Sequence, residues 1–193
     1  MIAIINAKIF QKTSGNFETR NILLDQKGII IGLGYIPDSD KATVIDAKGY
    51  IVLPSISDPF FNNSSQSESI NPYLKAGITH FGFKQDPKKA TVKTVPYTLL
   101  LSDQKDDIIK AILHQELDFF TIPKDQATYY LPVLLSVLKP LLSSKDLYKI
   151  LVQAPLFFES EKFGLTKIAN FTVIHPDTGH LLAVFYQGKC QAL

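Results

Sequence analysis

The hydrophobic rhythm of the sequence changes twice along the chain, and this change restricts the possible folds more than any other feature. Residues 1–56 are short β-branched segments separated by Gly-bearing turns, which is typical of a small antiparallel sheet or sandwich. Residues 57–153 alternate short strands with helical segments, a pattern typical of parallel-sheet units. The chain returns to strands from residue 169. We therefore expect β-rich ends that pair with each other around an α/β centre.

The periodicity and the turn residues give the expected bounds of the elements. The predicted strands of the two ends are Ile2–Phe10, Asn21–Asp25, Gly28–Gly32, Thr43–Asp46, Tyr50–Leu53, Ala169–Ile174 and Leu181–Tyr186. The predicted strands of the centre are Ile78–Phe83, Thr94–Leu101 and Leu117–Ile122, and its helices are 69–76, 105–116, 126–142 and 145–153. Thr43–Asp46 and Tyr50–Leu53 are expected to pair, and Gly77 to end the first helix in the left-handed conformation.

The length and the charge of the chain exclude several classes of protein. With 193 residues the chain suits one domain or one and a half, whereas a complete eight-fold β/α barrel alone takes about 200 to 250 residues. The net charge is only +2, with no basic block, so neither nucleic acid nor an anionic membrane is expected as a partner. No apolar run approaches the roughly 20 residues of a membrane span, and no signal peptide is recognised. A lone cysteine, Cys190, fits a reducing cytoplasm.

Several segments at both ends resemble dihydroorotase, within the amidohydrolase superfamily. The segment Val44–Pro54 resembles the strand that leads from the small β-sandwich of that family into its barrel. The other similar segments are Ile5–Phe10, Asn21–Asp25, Gly28–Gly34, Ala154–Phe158, Lys162–Leu165, Ala169–Pro176 and Gln187–Lys189. The resemblance covers about residues 1–85 and 149–193. It implies a composite β-sandwich of residues 1–55 and 165–193 and a truncated, incomplete β/α barrel-like centre of residues 56–164.

The residues that carry the chemistry of that family are missing from this sequence. After the strand, the family has Pro-Gly-Phe-Ile-Asp-Pro-His-x-His and then an Arg; the histidines bind zinc and the Arg holds the substrate carboxylate. Here Asp58 is retained, whereas Phe60 and Asn62 stand at the histidine positions. Ser64 falls near the Arg position, and Gln85 replaces a substrate-binding Asn. Because a phenyl ring offers no lone pair and an amide is a poor zinc ligand, we expect no metal, no cofactor and no catalytic residue at these five relic positions.

Other residues offer weaker alternatives for a site. His80 lies toward the presumed end of a predicted barrel-like strand, and His114 lies on an amphipathic helix, where a packed or solvated role explains each. His175 and His180 flank a turn that contains Asp177, and these three residues could form a metal cluster. A simple hairpin turn explains the same residues with fewer assumptions. Cys190 would become a nucleophile if Lys189 lowered its pKa, although an inert terminal cysteine explains it better.

Three functions are compatible with the sequence. The first is a non-catalytic dihydroorotase-like protein that serves as a structural or regulatory partner in pyrimidine biosynthesis. Metal-less chains of that family accompany aspartate carbamoyltransferase, which makes this enzyme the first candidate partner. The second is an active hydrolase of cyclic amides with a site rebuilt from His80 and Asp58, and the third is a small-molecule sensor that uses Asn62, Asn63 and Gln85. An incomplete barrel would expose apolar surface, so we expect a homo-oligomer or a heteromeric partner.

Overall fold

A computed structural model describes residues 1–11, 14–34, 42–54, 57–58, 74–81, 92–94, 119–121, 139, 143 and 163–191. Its strands at the two ends of the chain are β1 (Ile2–Gln11), β2 (Asn16–Leu24), β3 (Ile30–Gly34), β4 (Thr43–Asp46), β5 (Ile51–Pro54), β10 (Phe171–Ile174), β11 (Leu181–Tyr186) and β12 (Lys189–Gln191). Those of the centre are β6 (Ser57–Asp58), β7 (His80–Phe81), β8 (Val92–Thr94) and β9 (Phe119–Thr121).

The strands of the two ends form one mixed sheet of eight strands. Seven of them follow the order β12-β11-β10-β5-β1-β2-β3, and β4 lies beside β1. The antiparallel pair of β5 and β10 joins the two ends of the chain, with Val52 opposite Val173. The expectation that the ends pair with each other is therefore confirmed.

The prediction that Thr43–Asp46 pairs with the next strand is wrong, and the sheet is mixed rather than antiparallel. Both β4 and β5 pair with β1, in parallel, β4 along its first half and β5 along its second. The step between them coincides with a bulge in β1, where Asn6 takes a positive φ of 58°. The amide of Ala47 donates to the carbonyl of Ile5 at 2.9 Å. The turn after β4 thus carries the chain past the bulge in β1. As a result β5 runs in the same direction as β4 and does not fold back to pair with it.

The edge strand β3 returns to the segment that leads into β10. Ile29 forms an antiparallel bridge with Ile168, and the amide of Ala169 donates to the carbonyl of Gly28 at 2.9 Å. The amide of Gly188 in turn donates to the carbonyl of Ala169 at 3.0 Å. These bonds bring the two outer parts of the sheet together around a common interior.

Both ends of the chain contribute to that interior. Phe171 and Phe185 are fully buried, and their ring centroids lie 4.7 Å apart. The buried cluster is Ile4, Ala7, Ile9, Ile22, Leu24, Ile30, Ala47, Val52, Ala169, Phe171, Val173, Ala183 and Phe185. All four residues of β10 are buried, so this strand is covered on both faces, and three of the four are apolar.

The described strands of the centre pair in parallel, as the alternating pattern predicted. β6 pairs with β7, and β8 pairs with β9. Gly77 has a φ of 82° and donates to the carbonyl of Leu74 at 2.9 Å, which confirms the predicted helix end. The three later predicted helices and the barrel-like arrangement lie outside the described residues. Among the residues that the structure describes, no helix has the length and apolar character to cross a membrane.

Candidate functional site

The candidate site lies at the carboxyl ends of β6 and β7, the first two strands of the centre. Ser57 is opposite His80 and Asp58 is opposite Phe81 in a parallel register. Parallel strands direct their carboxyl ends to the same edge, which is where open α/β sheets bind their ligands. Of the predicted site residues, Asp58 at the end of β6 lies at this edge.

A buried contact fixes β7 to the eight-stranded sheet. The segment just before β7 is buried at Leu74, Ala76, Ile78 and Thr79. The buried hydroxyl of Thr172 on β10 donates to the carbonyl of Gly77 at 2.6 Å. This bond satisfies a polar group in an apolar environment, and it joins strands far apart in sequence. The segment that leads into β7 is thus attached directly to β10 in the sheet.

Of the five relic positions, Asp58 lies within the residues that the structure describes. The backbone of Asp58 is in β6, next to β7. Phe60, Asn62, Ser64 and Gln85 lie outside the described residues, as does His114. His80 begins β7. The structure therefore brings the strands of Asp58 and His80 together, and the predicted role of the relic positions stays a prediction.

The turn between β10 and β11 has the geometry of a hairpin. The amide of His175 donates to the carbonyl of His180 at 2.8 Å, and the amide of Asp177 donates to Nδ1 of His175 at 3.2 Å. The carboxylate of Asp177 pairs with the ammonium of Lys139, which lowers the pKa of Asp177 below its usual value. In the described ranges no group of three His, Cys, Asp or Glu side chains could hold a metal ion.

The thiol of Cys190 does not have the chemistry of an activated nucleophile. Lys189 was expected to lower its pKa if the residue were reactive. Partial burial of the thiol in β12 instead raises the pKa of Cys190 above its usual value, which agrees with the preferred interpretation of an inert terminal cysteine. A raised pKa keeps the sulfur protonated at neutral pH and therefore weakly nucleophilic.

One polar cluster was not found from the sequence. Nδ2 of Asn6, at the bulge in β1, donates to Oδ1 of Asp46 at 2.9 Å, and the amide of Asn6 donates to Oδ1 of Asn21 at 3.0 Å. The amide of Lys48 also donates to Asp46 at 3.0 Å. The hydrogen bond from Asn6, and then that from Lys48, lower the pKa of Asp46. The available signal was a lone Asn within an apolar strand, since Asn tolerates the left-handed conformation.

The fold is similar to that of two solved β-aspartyl dipeptidase structures. A β-aspartyl dipeptidase from Fervidobacterium islandicum AW-1, in complex with a β-Asp-Leu dipeptide, superposes with a TM-score of 0.59 at 12% identity, over 97% of this chain and 95% of that chain. A second structure of β-aspartyl dipeptidase from the same organism gives a TM-score of 0.60 at 11% identity, over 97% and 96%. The chain shares its fold with these β-aspartyl dipeptidase structures.

The other comparisons give lower structural similarity or no match. The dihydropyrimidinase of Brevibacillus agri NCHU1002 aligns over 71% of this chain and 30% of its own, with 20% identity and a TM-score of 0.32. No family model matches the sequence, and no curated protein matches it.

Proposed function

We propose that this protein is a non-catalytic dihydroorotase-like protein, a structural or regulatory partner of another enzyme. One observation supports the proposal most directly: Phe60 and Asn62 follow β6, where the similar family has its zinc-binding histidines. The shared fold with amidohydrolases makes that comparison of positions meaningful. On this proposal residues 1–55 and 165–193 form the composite sandwich domain, and residues 56–164 form the shortened barrel remnant.

The chemical argument concerns the activation of water. Hydrolytic amidohydrolase sites use a metal to lower the pKa of a bound water, and the metal needs imidazole or carboxylate donors. Phe60 cannot donate to a metal, and Asn62 is a weak donor. Asp58 alone retains the family residue among the relic positions. We therefore propose that ring opening of a cyclic amide is not the role of this chain.

The first candidate partner is aspartate carbamoyltransferase, proposed from the sequence resemblance, in pyrimidine biosynthesis in the cytoplasm. Co-purification of the full chain from its native host, followed by mass spectrometry, tests this directly. We expect a stoichiometric complex, or a self-assembled oligomer if the partner is a second copy. A monomer that captures nothing at physiological concentration would remove the proposal.

A gain-of-metal variant tests the missing ligands. In Phe60→His/Asn62→His the imidazoles return to both family positions, so we expect the purified variant to retain zinc that the wild type does not. The matched control is Phe61→His/Asn63→His, which adds two imidazoles one position away. Equal zinc contents of all three proteins would show that these positions are not relics of a metal site.

The second candidate is a hydrolase with a rebuilt site. It is favoured by similarity over almost the whole of a chain named as an enzyme. Assays with dihydroorotate and β-Asp-Leu, with His80→Ala as the control, test it. Turnover that is lost in His80→Ala would establish this candidate instead. Ligand-induced thermal stabilisation without turnover, weakened in Gln85→Ala, would indicate the sensor.

A further inference from the structure

Six exposed residues surround the place where three backbone segments meet at one end of the sheet. The segments are the turn after β2, the loop before β10 and the turn after β11. They are joined by the bonds from Ala169 to Gly28 and from Gly188 to Ala169, and by a bond of 2.8 Å from the amide of Ile30 to the carbonyl of Lys167. We call this surface the junction patch. It consists of Lys27, Ile31, Leu165, Lys167, Ile168 and Lys189.

Half of the junction patch is apolar. Ile31, Leu165 and Ile168 are 48%, 55% and 47% exposed. The other exposed large hydrophobic residues of the described chain are Met1, directly before β1, and Val44 on β4, which pairs with β1. Covering an aliphatic side chain that is about half exposed is worth roughly 1 kcal/mol. The three side chains lie on backbone segments that are hydrogen-bonded to each other, so one partner could cover them together.

Backbone strain maintains the exposure of part of this surface. Thr166 has a φ of 65°, which is rare for a β-branched residue and costs on the order of 1–3 kcal/mol. Its amide donates to the carbonyl of Ile30 at 2.8 Å, and its hydroxyl donates to the carbonyl of Leu165 at 2.6 Å. The two neighbours of Thr166 in the chain, Leu165 and Lys167, are both exposed. Strain of this size persists where the surrounding structure enforces it, often at binding sites.

The other half of the junction patch is basic. Lys27 and Lys167 are exposed on two of the joined segments, and the exposed Lys189 begins β12 directly after the third. The two ion pairs between described residues are Arg20 with Glu18 and Lys139 with Asp177, so none of the three patch lysines takes part in one. Their mutual repulsion would be relieved by carboxylates of a partner. Three cations are fewer than the about four to eight of a membrane-binding basic cluster, so a protein is favoured over a lipid surface.

We propose that the junction patch binds an acidic protein segment that also carries large apolar side chains. This inference rests on the proposed function, because it assigns a surface and a partner chemistry to the binding event proposed there. The apolar side chains of the segment cover Ile31, Leu165 and Ile168, and its carboxylates face the three lysines. The partner is thereby restricted to proteins with an exposed segment rich in Glu or Asp beside Leu or Phe.

A fluorescent peptide of alternating Glu and Leu, titrated with the full chain, tests the surface. We expect saturable binding that weakens as NaCl rises from about 50 mM to about 500 mM. The variant Lys27→Glu/Lys167→Glu/Lys189→Glu should bind the peptide at least about tenfold more weakly than the wild type. The variant Leu165→Ser/Ile168→Ser should also bind the peptide more weakly than the wild type. The controls Lys8→Glu/Lys48→Glu and Val44→Ser change exposed residues outside the patch and should bind normally. Circular dichroism and thermal melting confirm that each variant is folded.

The outcomes separate this inference from the proposed function. Failure of the peptide to bind, equal binding by patch and control variants, or binding only to phosphatidylserine vesicles would overturn the inference. If the native partner co-purifies equally with the wild type and the charge-reversal variant, the proposed function stands and the junction patch is not its surface. If the peptide binds through the patch but no partner co-purifies, the surface stands and the proposed function fails.

Discussion

Gly28 and Gly188 touch through their backbones, although 160 residues separate them in the sequence. A Cβ placed on Gly28 would lie 1.9 Å from the carbonyl oxygen of Gly188, and one placed on Gly188 would lie 2.5 Å from the carbonyl oxygen of Lys27. Both residues also have positive φ, 76° and 79°. The contact packs the turn after β2 against the turn after β11, and so brings the two ends of the chain together where the junction patch lies.

Gly28→Ala should therefore destabilise the protein strongly. The methyl group collides with backbone atoms that cannot rotate away, and the left-handed conformation alone costs about 1 to 2 kcal/mol in a non-glycine residue. We expect the free energy of unfolding to fall by more than about 2 kcal/mol. Urea denaturation followed by circular dichroism measures it.

Two other glycines provide matched controls for this variant. Gly49 has a φ of 84° but an open space around its Cβ position, so Gly49→Ala should show the backbone cost alone. Gly164 has neither restriction, and Gly164→Ala should be nearly neutral. A Gly28→Ala variant no less stable than Gly49→Ala would contradict the close approach.

Thr172→Val should weaken the attachment of the centre to the sheet. The change keeps the shape of the side chain but leaves the buried carbonyl of Gly77 without its 2.6 Å donor. An unsatisfied buried carbonyl costs about 1 to 3 kcal/mol. Hydrogen exchange of the amides near Gly77 should accelerate along with the fall in stability. The exposed Thr19 on β2 supplies the control Thr19→Val, which should alter neither.

Asp46 should make the stability of the protein depend on pH in the acid range. The hydrogen bond from Asn6 lowers the pKa of Asp46 from its usual value of 3.8. A lowered pKa in the folded state stabilises the protein above the usual value, and the stabilisation is lost as the pH falls through the lowered pKa. The melting temperature of Asp46→Asn should therefore lie below that of the wild type near neutral pH, and the difference should shrink on acidification.

A second variant tests whether the hydrogen bond from Asn6 causes this effect. Asn6→Gly keeps the positive φ at little cost and removes the amide that donates to Asp46. In the Asn6→Gly background the effect of Asp46→Asn should be smaller. Equal effects of Asp46→Asn in both backgrounds, measured as a double-mutant cycle over the same pH range, would show that Asn6 is not responsible.

Cys190 should react slowly with thiol reagents. Because burial raises the pKa of its thiol above 9.0, little thiolate is present at neutral pH. The alkylation rate with iodoacetamide should be lower in the native protein than in urea, and should still be rising at a pH where an ordinary thiol has levelled off. Rapid native alkylation at neutral pH would mean that Lys189 does activate the sulfur.

Much of the fold could be predicted from the sequence, because apolar alternation and turn residues act locally. The strand Leu181–Tyr186 was predicted with its observed bounds, and Gly77 as a helix end was predicted from its backbone freedom alone. The start of β2 at Asn16 was missed, since Asn16–Arg20 is mostly polar and exposed and shows little apolar signal. The candidate site is known from the sequence only, because its strands are described but the side chains that follow them are not.

The sequence by itself determined where strands form and which zinc-binding residues are absent after β6, since both follow from the local order of side chains. Only the tertiary structure decided which strands pair. Local periodicity carries no information on the partner of a strand, so the parallel pairing of β4 and β5 with β1 depends on the bulge at Asn6. The meeting of Gly28 with Gly188, and with it the junction patch, likewise arises from distant segments whose hydrogen bonds no short stretch of sequence encodes.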